Sequence, residues 1–392
     1  MLNGVPATPG PGDSTVIGMG ANAVWAHALT VGLGSLSMGG GSVLELNDGM
    51  NLTLNGASAL TNNGELKLTF GGYYGGSVLT LNGTAIAGTG TITLSSGEIR
   101  GSFTNGLGQM IHGTGGIISA AMDNLSTVMA DGAGSISLTS AMKLNSGTLG
   151  ASNGGTLNLA ATTVTQAASG LITTLDKSTV RLSGGAVING GTFSTEGSGL
   201  MLLSGGGQKA TLTGITNAGH ILAEDGSILT ISGPITNNGT LEIGGYAGGS
   251  GPATLNVAMD TVLTGNGTLR LYPGYITGGP LTNSAAHTIS GGISYIQAAL
   301  TNHGLIQANV SGQTMHVQAP LTNYGLMSAT SGGILAVETA VAQSSTATIT
   351  ALDKSTVRLS GGAVINGGTF STEGSGLMLL SGGGQKATLT GI

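Results

Sequence analysis

Leu281-Thr282-Asn283, Leu300-Thr301-Asn302-His303-Gly304 and Leu321-Thr322-Asn323-Tyr324-Gly325 repeat one phrase at steps of 19 residues (283 to 302) and 21 residues (302 to 323). The phrase is an apolar residue, Thr and Asn, usually with Gly two places after the Asn. It also stands at Leu60-Thr61-Asn62-Asn63-Gly64, Phe103-Thr104-Asn105, Ile215-Thr216-Asn217-Ala218-Gly219 and Ile235-Thr236-Asn237-Asn238-Gly239. A step of this size is one coil of a solenoid. Between phrases the chain alternates apolar and polar residues, as in Gly64-Glu65-Leu66-Lys67-Leu68, Ser77-Val78-Leu79-Thr80-Leu81 and Gly333-Ile334-Leu335-Ala336-Val337. Period two with Gly and Asn punctuation is a strand signature, and no stretch of period 3.6 competes with it. A third, shorter strand leads back to the next Thr-Asn. The expected fold is all-β: a right-handed parallel β-helix of roughly 16 coils of about 22 residues, three short strands per coil.

The physics of such a coil assigns its residues. Gly and Asn are expected at corners that turn through positive φ. Leu, Ile and Val stack in a narrow interior, which accounts for an aromatic content of only 3%. Asn62, Asn105, Asn217, Asn237, Asn283, Asn302 and Asn323 are expected to align as an internal ladder, each amide bonding the one above and below.

A second, longer repeat contains the first. Leu352 to Ile392 copies Leu175 to Ile215 letter for letter, an offset of 177 (352 − 175). Diverged parts of the same unit also align: Leu60 to Leu68 with Ile235 to Ile243, and Gly88 to Leu94 with Gly265 to Leu271. Between these copies Glu65 becomes Thr240, Lys67 becomes Glu242 and Thr93 becomes Arg270, while the apolar residues persist. Charges that change freely read as solvated faces. The organisation follows: an N-terminal linker or cap with a first coil over 1–37, one superunit over 38–215 and a second over 216–392, forming one continuous solenoid. Pro6 to Gly12 reads as linker or end cap. The start lacks the basic and apolar regions of an export signal, and the array breaks off at Ile392, so a longer parent with its signal elsewhere is expected.

Composition narrows the function classes. A net charge of −6 with only ten Lys plus Arg argues against nucleic acid and anionic lipid as partners. The absence of cysteine removes disulfides, thiolate metal sites and a Cys nucleophile. No run of 18 apolar residues offers a membrane-spanning helix.

Candidate chemistry is sparse. Asp176, Lys177 and Arg181 recur as Asp353, Lys354 and Arg358, but they lie inside the copied block and read as exposed ion pairs. Glu224-Asp225-Gly226 and Asn47-Asp48-Gly49 read as turns. His27, His112, His220, His287, His303 and His316 show no metal-ligand spacing. Ser204-Gly205-Gly206-Gly207-Gln208-Lys209 lacks the spacing of a phosphate loop and reads as a corner. Asn51-Leu52-Thr53 and Asn82-Gly83-Thr84 match the short glycan-acceptor pattern. No catalytic, cofactor or metal residue is assigned.

The recurring apolar-Thr-Asn-x-Gly phrase, with Gly-x-Gly-Thr-Ile/Leu-x-Leu at Gly88 to Leu94 and Gly265 to Leu271, resembles the passenger regions of bacterial autotransporters. It is similar also to filamentous-haemagglutinin-like adhesins and other large secreted repeat proteins. The resemblance covers residues from about 40 to 392. It implies a right-handed parallel β-helix, secretion across the outer membrane, and roles in adhesion, autoaggregation or matrix building. The expected function is a non-enzymatic extracellular rod of the bacterial surface, without cofactor, whose partners are other copies of itself or a surface carbohydrate or receptor. The alternative is a self-assembling fibre or sheath subunit; a carbohydrate lyase or hydrolase on the same fold comes third.

Overall fold

A computed structural model describes residues 12–26, 29–245, 251–258, 261–380 and 386–392. Most of the linker segment Pro6 to Gly12, and His27, lie outside them. The described residues contain strands and turns and no helix. They form a parallel β-solenoid of about 17 turns, with paired strands about 21 residues apart. The chain divides into two compact units, Met1–Leu200 and Met201–Ile392.

In unit 1, Lys143–Asn145 pairs in parallel with Thr163–Gln166, which pairs with Ala186–Asn189. In unit 2, Leu281–Asn283, Leu300–Asn302, Leu321–Asn323 and Ala340–Gln343 pair in succession, residue on residue. Each partner is the third strand along the chain, so one coil holds three strands. Alternation sets the faces. In Glu65–Leu68 and Thr240–Ile243 the apolar residues are buried and the polar ones half-exposed.

Register turns that alternation into columns. In unit 1 one runs from Leu44 through Leu66, Ile92 and Ile111 to Ile172 and Phe193, all wholly buried. Unit 2 repeats it from Ile221 and Leu241 through Leu269 and Ile289 to Ile349. The interior does admit an aromatic ring, since Phe193 is fully enclosed.

The glycine of the Asn-x-Gly phrase is a correction. Positive φ occurs at other corners, such as Asp48-Gly49, Asn153-Gly154 and Ser331-Gly332. Gly239, Gly304 and Gly325 are not among the positive-φ residues; a Cβ on each would collide with a backbone carbonyl of the preceding coil, Gly219, His287 and Gly304 respectively. They are glycine because the coils approach closely there, not because the chain turns left-handed.

One coil departs from the plan. Phe70–Gly71 and Gly75–Gly76 form a small antiparallel hairpin, fixed by the Asp48 carboxylate, which accepts the Tyr73 and Tyr74 backbone N–H groups at 3.3 and 2.9 Å. The corresponding corner of unit 2 includes residues 246–250, outside the described residues.

Candidate functional site

The structure places all seven ladder asparagines inward, none more than 1% exposed. Each is the last residue of its strand. Gly64, Gly219 and Gly325 donate their N–H groups to the Oδ1 atoms of Asn62, Asn217 and Asn323 at 3.1–3.3 Å, which holds each Asn side chain against its own corner. In unit 2, Asn283 Nδ2 donates to Asn302 Oδ1 (2.7 Å), and Asn302 Nδ2 to Asn323 Oδ1 (2.9 Å). Asn323 donates to Gln343 (3.1 Å), whose amide ends the run on the Gly367 carbonyl (3.1 Å). In unit 1 the run is Asn105, Asn124, Asn145 and Gln166, joined at 2.8, 2.8 and 3.0 Å and ending on the Gly190 carbonyl. Asn124 and Asn145 follow Asp and Leu, so a search for Thr-Asn passes over them. Every link donates in the same direction along the chain.

The expectation that neighbours in the series bond directly fails at one place in each unit. Gly88 and Gly265, at the same offset of 177 (265 − 88), carry no side chain at this level, and a Cβ there would collide with the carbonyl of Asn62 or Asn237. A longer side chain reaches across. In unit 2 it is His287, wholly buried: Asn237 Nδ2 donates to His287 Nε2 (3.0 Å), and His287 Nδ1 donates to Asn283 Oδ1 (2.7 Å). This fixes the neutral Nδ1–H tautomer. Burial pushes the imidazole pKa down to about 4. In unit 1 the equivalent residue is Gln109. Its Oε1 accepts from Asn62 Nδ2 (3.2 Å), but its amide donates to the carbonyls of Asn62 and Ala87, and Asn105 Oδ1 is left buried without a partner.

A second buried polar group was not legible from the phrase. Lys143 is fully enclosed, and its Nζ donates to the carbonyls of Ala120, Thr139 and Ala141 at 2.8–2.9 Å. Desolvation lowers its pKa to about 8. Pairing puts Leu321 in this place in unit 2, since Lys143 faces Val164 and Leu321 faces Val341.

Outward side chains form separate short networks. Thr93, His112 and Asp131 lie on successive coils, with Thr93 Oγ1 3.3 Å from His112 Nε2 and His112 Nδ1 3.9 Å from Asp131 Oδ2. The outline is that of a hydroxyl–imidazole–carboxylate triad, but the Thr93 hydroxyl donates to Glu65 Oε1 at 2.7 Å. A hydroxyl already committed to a carboxylate does not hand its proton to the imidazole. The carboxyl groups with displaced pKa values lie below their ordinary range. Glu98 is held down by Arg100 and Ser119, and Glu242 by His220 and Arg270. Burial pushes Glu338 up, but hydrogen bonds from Gln318 and His316 outweigh it. The general acid of a glycosidase needs the opposite shift.

Asp176 does not take its main partner from Lys177. Its carboxylate accepts the N–H and Oγ–H of Ser198 in the next coil, both at 2.8 Å, and Asp353 repeats this with Ser375. Those bonds lower both carboxyl pKa values. Glu224-Asp225-Gly226 and Asn47-Asp48-Gly49 are turns, and Gly205 to Gly207 is a bend. His303 stacks on Tyr324, and His316 on Tyr295, at 4.7 and 4.6 Å between ring centres. Among the described residues no group of three His, Asp or Glu side chains is placed to hold a metal. Among the described residues no helix is long and apolar enough to cross a membrane. Comparison with protein-family models, curated proteins and solved structures found no match.

Proposed function

We propose that this chain is a non-enzymatic structural or adhesive β-helix of the bacterial surface, exported and working outside the cell. One observation carries the reading. On three successive equivalent strands the two units keep the inward apolar residues and replace the outward chemistry: Lys67, Thr93 and His112 in unit 1 stand where unit 2 has Glu242, Arg270 and Ser290. A duplicated catalytic site would hold its outward residues; a scaffold holds its interior. Display of residues 1–392 on a non-adherent bacterium tests it. Autoaggregation or attachment to a surface is the expected result. Unchanged cell behaviour, or turnover of polysaccharide by the purified chain, would overturn it.

A fibre or sheath subunit is the second reading: copies of the chain would pair through the strand edges of their coils.

A further inference from the structure

A hollow of about 390 Å³ opens on the outward face of unit 2. It crosses the four parallel strands Leu305–Ala308, Leu326–Ala329, Thr348–Ala351 and Thr369–Thr372. Its floor is one register column: Gln307, Ser328, Thr350 and Ser371. Leu305, Leu326 and Leu352 supply apolar walls, and Glu373 adds a single carboxylate. No lining side chain is cationic.

Two features of the floor point to a ligand. Ser328 is 2% exposed, and its Oγ has no hydrogen-bond partner. Native proteins seldom leave a buried hydroxyl unpaired. Beside it, Ser371 Oγ donates to Thr350 Oγ1 at 2.8 Å, which leaves the Thr350 proton to be given outward.

We infer that this strip binds a neutral glycan chain laid across successive coils. The inference rests on the adhesive reading above and names what is held. Strands in register are about 4.8 Å apart, and a pyranose in an extended chain advances by nearly the same distance. Each sugar therefore meets one coil, its hydroxyls against Gln307, Ser328, Thr350 or Ser371 and its C–H face against a leucine. A polyanion would find no cation here and one like charge. A peptide cannot add as a strand, because the backbone groups of these strands are already paired within the sheet.

Unit 1 supplies the control. Its matching column is Met129, Gly150, Thr173 and Ser194. There the Met129 methyl lies 3.1 Å from where a Cβ on Gly150 would sit, so methionine takes up the space. Only the first two positions change chemistry between the units, Met to Gln and Gly to Ser.

The experiment is calorimetric titration of the full chain with a panel of neutral hexasaccharides (gluco-, xylo- and manno-configured and N-acetylated), with hexagalacturonate as the anionic control. At least one neutral member is expected to bind saturably and with little dependence on salt. The double variant Gln307→Met/Ser328→Gly, which writes in the unit 1 pair, should bind about tenfold more weakly, as loss of one or two net hydrogen bonds requires. Thr350→Val, close in size, should weaken binding as well and guards against a folding defect in the double variant. Absence of saturable binding across the panel, unchanged affinity in both variants, or equal binding of hexagalacturonate would each overturn the inference. A chain that makes displaying cells adhere yet binds no panel member would sink the glycan site alone and leave the adhesive reading standing.

Discussion

His287 and Gln109 fill the same gap in two ways, and the difference sets a pH dependence. His287 must stay neutral, because its Nε2 accepts from the Asn237 amide. Protonation would set donor against donor, and turning Asn237 over would pass the clash to Asn217, whose Nδ2 donates to Asn237 Oδ1. Its folded pKa lies at about 4, below the ordinary 6.5, so the unfolded chain binds the extra proton first. The stability it contributes is complete above pH 6.5 and is lost as pH falls towards 4, by about 3 kcal/mol in all. Amide exchange across Leu281–Asn302, followed from pH 7.5 to 4, should show that loss. His287→Gln should remove the acid slope while costing about 1–3 kcal/mol at neutral pH, because Asn283 Oδ1 loses its donor; an unchanged slope would assign the acid sensitivity elsewhere. Gln109→His in unit 1 should do the reverse. It offers Asn105 Oδ1 the partner it lacks, adds about 1 kcal/mol at pH 7.5, and brings acid sensitivity with it. None of this was legible in the sequence, because the contacts span 47 and 50 residues, two coils rather than one.

At the scale of the coil, the phrase apolar-Thr-Asn-x-Gly is a packing device. The apolar residue and the Asn face inward, the Thr outward, and the Gly lies directly on the coil before it. Gly325→Ala should therefore force coils apart and cost about 1–3 kcal/mol as overpacking. Gly40→Ala is the control, because a Cβ there meets nothing within 4 Å, and its effect should stay within about 0.5 kcal/mol. Denaturant midpoints of the two variants make the comparison; equal effects would mean that the phrase glycine serves the turn rather than the stack. The period and the alternation made the coil, its three strands and its inward face readable, since each is a local pattern. The reason for the glycine was not, because the colliding carbonyl belongs to another coil. Lys143 was hidden for a related reason: in Met142-Lys143-Leu144 the charged residue points in while Met142 and Leu144 are 55 and 41% exposed, the reverse of the usual alternation.

At the scale of the whole molecule, the copied block places one sequence in two environments. Leu203 and Leu212 are 0 and 1% exposed in the first copy, where Ile221–Ala223 and Ile228–Ser232 pair onto their strands. The identical Leu380 and Leu389 are 53 and 45% exposed. In the first copy the coil that follows covers these leucines, so burial is set by the neighbouring coil and not by the block's own letters. The 177-residue duplication was readable because it is written in the letters; the outward networks were not, because each joins side chains whose spacing varies from coil to coil. If the fibre reading holds, copies of the chain cover this edge for one another, and self-association should rise with concentration in analytical ultracentrifugation. Leu380→Lys/Leu389→Lys should suppress it, since a charge on a strand edge blocks strand addition. Those residues are already exposed, so the substitutions should leave stability within about 0.5 kcal/mol. A parent chain that stays monomeric at the highest soluble concentration would remove the fibre reading. A double variant that associates as the parent does would move the contact away from this edge.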